Sequence, residues 1–157
     1  MGETLTLAEA KRRRAAARVM GHRFVFTNGC FDIIHPGHVE LLKKAKSLGR
    51  FLCVGLNSDR SIRAIKGSTR PIQSEVARAA VVAALASVDY VVLFDEETPL
   101  RLIEELKPDV LVKGGDYRPE EVVGRDVVEA AGGEVHIVPL LPGHSSSSIT
   151  ERIRRGT

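Results

Sequence analysis

Five short apolar runs dominate this sequence: R-F-V-F-T-N (23–28), F-L-C-V-G-L-N (51–57), D-Y-V-V-L-F (89–94), D-V-L-V-K (109–113) and E-V-H-I-V-P (134–139). Nearly all are continuously apolar rather than alternating, so they read as strands covered on both faces, as in a parallel sheet with helical crossovers. The intervening segments supply those crossovers. From Pro36 to Leu48, the residues Leu41, Leu42, Ala45 and Leu48 recur at helical spacing before Gly49. Further helices are predicted over about 4–20, as an N-terminal extension, and within 58–72. Others are expected from Gln73 to Ala86, after Pro99, after Pro119, and from Ser147 to Arg155. The expected fold is α/β: one doubly wound, five-stranded parallel sheet with helices on both faces, a single domain over 1–157. Such sheets bind ligands beyond the carboxyl ends of their strands, here just after 28, 57, 94, 113 and 139.

Composition narrows the function classes. The chain is 43% hydrophobic and 27% charged over 157 residues, enough to bury a core without disulfide or metal staples. Cys30 and Cys53 both sit in apolar stretches and suggest a reducing, cytoplasmic setting. No stretch approaches the roughly 20 apolar residues of a membrane span, and the N-terminus lacks a signal-peptide layout. Net charge is +3 and the isoelectric point about 9.1, with acids and bases interleaved apart from Lys11–Arg14 and the tail arginines 152, 154 and 155. That is too mild for a nucleic-acid surface, and the run at 11–14 reads as a solvated helix face.

The stretch G-C-F-D-I-I-H-P-G-H (29–38) follows the first strand. Proline favours the first helical position, so Pro36 makes His35 the cap and places His38 in the first turn, both imidazoles at one helix end. Gly37 between them leaves the backbone open to a ligand. Helix starts suit phosphate, and the same field keeps both rings neutral until a polyphosphate arrives. On spacing alone, one capping and one surface histidine account for the pair equally well. A zinc site on Cys30, His35 and His38 lacks a fourth ligand at any standard spacing, so no metal ligands are assigned and Cys30 reads as a small buried thiol.

With T-N-G-C-F-D before it, H-P-G-H resembles the H-x-G-H signature of the nucleotidyltransferase superfamily. Further matches are K-G-S-T-R-P-I (66–72), R-A-A-V-V-A-A-L (78–85), V-D-Y-V-V-L-F (88–94), T-P-L-R-L-I (98–103), P-D-V-L-V-K-G-G-D-Y (108–117) and L-P-G-H-S-S-S-S-I (141–149). From Phe24 onward this series is similar to the D-glycero-D-manno-heptose 1-phosphate adenylyltransferase family, whose fold is Rossmann-like. In many bacteria that domain is fused to a sugar kinase; no kinase sequence is present here, which implies a stand-alone transferase.

The resemblance implies in-line attack by a sugar 1-phosphate on the α-phosphorus of ATP, with Mg²⁺ carried on the nucleotide phosphates. It assigns His35, His38, Lys66 and Arg70 to catalysis, the last two on a lid over the β- and γ-phosphates; by default they are solvated surface charges. Nucleotide contacts fall on Thr27, Asn28, Gly29, Phe31, Lys113, Gly114, Asp116, Ser145, Ser146 and Ser147. Asp116 would meet the ribose, or simply shape a Gly-Gly-Asp turn. The serines stand where the family has Ser-Thr-Thr, which keeps the hydroxyls and loses methyl packing. Asp32 and Arg78 match acceptor-side positions, but Asp32 equally caps a turn and Arg78 equally serves structure. The implied partners are ATP and a sugar 1-phosphate, with no nucleic acid or membrane, and a homodimer is the base-rate expectation. The main rival is a CTP-dependent glycerol 3-phosphate or other polyol-phosphate cytidylyltransferase; a non-catalytic nucleotide-binding module is more remote.

Overall fold

The computed structural model describes residues 1–156. Its strands are β1 (Glu3–Leu5), β2 (Phe24–Gly29), β3 (Phe51–Asn57), β4 (Tyr90–Phe94), β5 (Val110–Gly114) and β6 (Glu134–Val138). Its helices are α1 (Leu7–Val19), α2 (Pro36–Ser47), α3 (Asp59–Lys66), α4 (Glu75–Ala83), α5 (Leu100–Leu106), α6 (Arg125–Ala130) and α7 (Ser146–Arg155). The sheet is wholly parallel, in the order β1-β4-β3-β2-β5-β6.

Six strands replace the expected five. The extra one is β1, where Glu3, Thr4 and Leu5 pair with Tyr90, Val91 and Val92 at the sheet edge. The helix expected from about residue 4 starts only at Leu7, because Thr6 and Glu9 form a capping box. The Thr6 hydroxyl accepts the Glu9 N–H at 3.3 Å, and the Glu9 carboxylate accepts the Thr6 N–H at 2.8 Å. The other helix starts also follow their caps: Ser74 and Ser145 accept N–H bonds from Ala77 and Ser148, placing the starts at Glu75 and Ser146. After Pro119 there is only a 3₁₀ turn, Pro119–Glu121. Gly124, at φ 85°, breaks the chain before α6, and a Cβ there would stand 2.6 Å from Ile103 Cδ1.

Strand alternation divides the core into two layers. Val25, Leu52, Val54, Val91, Val110 and Val112 face α2 and α4 through Leu42, Ala45, Ala79 and Val82. Phe24, Phe26, Cys53, Val92 and Leu111 face the layer of Ala10, Ala17, Leu102, Ile103, Leu106 and Val128, carried by α1, α5 and α6. Packing on both sides explains the continuously apolar strands. Arg14, from the basic run read as a solvated face, is instead buried: it donates to the carbonyls of Leu106 and Lys107 and to the Asp109 carboxylate.

The strand order also locates the ligand end. From β2 the chain winds outward to β3 and β4, then returns to β5 on the opposite side of β2. Pairing of β2 with β3 continues to Gly29–Leu56, whereas β2 and β5 pair only at Val25–Val110 and Phe26–Leu111. Past Phe26 the two strands diverge, opening a crevice at the topological switch point.

Candidate active site

The crevice is a pocket lined by Asn28, Gly29 and Phe31 after β2, His35, Gly37, His38 and Leu41 of α2 and its cap, Lys66 at the end of α3, and Gly114 of β5. Val138, Pro139, Leu140 and His144 close it, with Ser145, Ser146 and Ser147 at the start of α7. Ten of the residues singled out from sequence therefore meet in one cavity: Asn28, Gly29, Phe31, His35, His38, Lys66, Gly114 and the three serines. Two helix N-termini, those of α2 and α7, open into it, and their orphan N–H groups give it an anion-attracting field.

His35 caps α2 in extended conformation, and its Nδ1 accepts the Gly37 N–H at 3.1 Å. An accepting Nδ1 places the proton of the neutral ring on Nε2, so His35 offers an N–H donor. His38 stacks on it with ring centroids 3.8 Å apart, and Phe31 packs against His38 at 4.9 Å. Phe31 itself is buried with φ 47°, an uncommon conformation for a residue with a side chain. Burial, then the charges of His35 and Lys66, pushes the His38 pKa down to about 4. The Ile33 backbone opposes this, while the buried Nδ1 has no hydrogen-bond partner among the described residues. His35 is lowered by burial and by His144. Both rings are thus neutral at pH 7 and primed to become easier to protonate beside an anion.

The remaining candidates lie around this cavity rather than in its lining. Thr27 is buried at the end of β2, its hydroxyl lacking a hydrogen-bond partner among the described residues. Lys113 extends over the Tyr117 ring at 5.0 Å, and burial lowers its pKa. Asp116 is exposed in the turn after β5. Cys30 is partly exposed rather than fully buried, its thiol 3.9 Å from the Asn57 side-chain oxygen.

Arg70, Asp32 and Arg78 form a second layer. The Asp32 carboxylate accepts from Arg70 Nη1 at 3.0 Å and from the backbone N–H groups of Ile72 and Gln73, while its own carbonyl accepts from Gln73 Nε2. Asp32 thus anchors the loop that follows Lys66. Arg78 has no exposed surface; it donates to the carbonyls of Gln73, Cys30 and Asn57 and to the Asp59 carboxylate. Its guanidinium braces the turn from beneath and presents no donor to the cavity.

Sequence reading missed His144, Leu41 and, in the 138–140 wall, Val138 and Pro139; Leu140 falls just after 139, where a ligand was expected. His144 carried a signal, since it directly precedes the serine run that caps α7. Leu41 resembled an ordinary core position, and the wall follows from where β6 ends.

Known proteins resemble this chain in sequence and in architecture. The cytidylyltransferase-like family matches residues 26–152. The bifunctional protein HldE of Geotalea uraniireducens is 57% identical over 142 residues, 90% of this chain and 29% of that protein. HldE of Rhodopseudomonas palustris strain BisA53 is 60% identical over 139 residues, 88% of this chain and 28% of its own length. The chain thus spans less than a third of these curated relatives. Among solved structures, a lipopolysaccharide core biosynthesis protein from Thermoplasma volcanium superposes with TM-score 0.62 at 33% identity, covering 77% of this chain and 98% of that one. Pantothenate synthetase from Thermus thermophilus, at 18% identity and TM-score 0.64 over 95% of this chain and 67% of its own, shares the fold. The match over residues 26–152 spans every element of the cavity described above, from Asn28 to the start of α7, and by it this chain belongs to the cytidylyltransferase-like family.

Proposed function

We propose that this chain is a nucleotidyltransferase that joins a heptose 1-phosphate to ATP, releasing pyrophosphate and forming ADP-heptose. The observation that carries the reading is the convergence of stacked His35 and His38, Lys66 and the serine-capped start of α7 on one cavity at the switch point. The heptose part rests on the motifs at 66–72 and 108–117 and on the high identity to HldE. The Thermoplasma neighbour, a lipopolysaccharide core biosynthesis protein, fits a sugar activated for the cell surface.

The chemistry needs little beyond what these residues supply. A sugar 1-phosphate is already an anion at neutral pH, so no general base is required; the site must align two anions and stabilise growing charge. His35 donates from Nε2 to a phosphate oxygen. His38, neutral in the empty cavity, gains donor strength as the triphosphate raises its proton affinity. Lys66 adds charge over the outer phosphates, and the α7 N–H groups complete the cradle. The cavity lining offers imidazole, ammonium, hydroxyl and amide groups, and no carboxylate among the described residues. In this reading Mg²⁺ enters as part of the substrate, Mg²⁺–ATP, held on its phosphates and waters.

The name of the matching family favours one rival, CTP with glycerol 3-phosphate or another polyol phosphate. Pyrophosphate release measured with Mg²⁺, each of four nucleoside triphosphates and a panel of sugar and polyol phosphates separates the two. ATP with a heptose 1-phosphate is expected to be best. CTP with glycerol 3-phosphate as the best pair would replace this reading, and no release with any pair would end both.

A further inference from the structure

Arg70 is held at two points, and only one of them is Asp32. Its Nη2 donates to the Thr150 hydroxyl at 3.3 Å, while that hydroxyl donates onward to the Ser146 carbonyl at 2.9 Å. Ser146 in turn donates from its own hydroxyl to the Ile33 carbonyl at 3.2 Å, beside Asp32. The bonds close a ring through three separate elements: the turn before α2 (Asp32, Ile33), the start of α7 (Ser146 and, one turn on, Thr150) and the loop after α3 (Arg70). The proton directions agree. Thr150 spends its single proton on a carbonyl, so its lone pairs face the guanidinium, and the carboxylate takes the other arm.

The ring links parts that would otherwise be independent. Lys66, the last residue of α3, and Ser146 both line the cavity, and the exposed residues 67–69 that follow Lys66 are carried on a loop whose side-chain anchors are Asp32 and, through Arg70, Thr150. Arg70 is only 17% exposed at its side chain, and Asp32 only 5%. The anchorage is therefore shielded from water, where a charge-assisted contact counts for more than at an open surface.

We propose that Thr150, through its hydroxyl, is a positioning residue for Arg70 and so sets the place of the 66–72 loop over the cavity; its effect on turnover rests on the nucleotidyl-transfer reading above. Without that hydroxyl, Arg70 keeps Asp32 but loses its tie to α7. The loop then no longer moves with the helix whose first turn receives the phosphates.

Two readouts test this on the whole chain. The first is tryptic cleavage after Lys66, the exposed bond ahead of Gly67, followed by mass spectrometry without any substrate. The second is steady-state turnover. For Thr150→Val, cleavage should quicken severalfold and kcat should fall about three- to tenfold with KM for ATP unchanged, the scale of one lost hydrogen bond. Thr150→Ser should restore both. Wild-type cleavage and kcat in Thr150→Val would overturn the proposal, as would failure of serine, which keeps the hydroxyl, to rescue both readouts. Faster cleavage with unchanged kcat would likewise remove the catalytic consequence. If the wild type releases no pyrophosphate while Thr150→Val is still cleaved faster and Thr150→Ser is not, the anchorage stands and the reaction reading is what fails.

Discussion

The imidazoles of His35 and His38 stack at a centroid separation of 3.8 Å with a 26° interplanar angle, while His35 Nδ1 receives the Gly37 N–H. The two nitrogens of one ring thus differ: Nδ1 caps a helix, and Nε2 carries the proton that the proposed reaction would use.

Those purposes separate by substitution. Asparagine places an acceptor near Nδ1 but has nothing at Nε2. His35→Asn should therefore retain thermal stability, where His35→Ala loses about 1 kcal/mol with the cap. Both variants should lose roughly 10²-fold or more in kcat, as on removal of a donor to developing charge. Chemical denaturation and pyrophosphate release measure the two effects; full activity in His35→Asn would remove the donor role.

Gly37 has a steric reason to lack a side chain. A Cβ there would meet His35 Cε1 at 2.9 Å and Nδ1 at 3.0 Å. Gly37→Ala should rotate the ring off its cap, lowering kcat/KM at least about tenfold while overall stability changes by no more than about 1 kcal/mol. A crystal structure or histidine NMR shifts of the variant would report the displaced ring, and an unmoved ring with normal activity would contradict the contact.

His38 makes the protein pH-sensitive in a stated direction. Its folded-state pKa is pushed down from 6.5 to about 4, so between those values the unfolded chain holds a proton that the empty folded site does not. Its favourable contribution to stability is therefore complete above pH 6.5 and is lost as pH falls toward 4. Phosphates raise the pKa again, so nucleotide binding should take up protons near pH 5.5. Calorimetry in two buffers of different ionisation enthalpy should show uptake in the wild type and a clear reduction in His38→Asn. Equal uptake in both would place the proton elsewhere.

Arg78 should matter to stability first. Arg78→Met leaves the Asp59 carboxylate and three carbonyls without their donor. The expected loss is about 3 kcal/mol, the low end for breaking a buried pair because Asp59 retains some solvent contact. Urea unfolding gives the value. Unchanged stability with a raised KM for the sugar phosphate would return Arg78 to the acceptor side.

The sequence by itself determined the parallel α/β layout, because strands buried on both faces must be continuously apolar and the helices between them must show one apolar stripe. It also determined the cap at His35 and the helix start at Pro36, since proline at the first position and the capping preference are local. It carried the T-L-A-E capping box at 6–9 as well, which limits α1 to Leu7 onward.

Tertiary structure alone decided the rest. Three residues, Glu3 to Leu5, become a strand only because β4 offers an open edge, and no pattern that short can show it. Arg14 and Arg70 look like surface charges in the sequence; each is held by partners distant along the chain, Asp109 for one and Asp32 and Thr150 for the other. Likewise, the cavity exists because β2 stops pairing with β5 after Phe26, a divergence set by the return crossing at the switch point rather than by any residue within either strand.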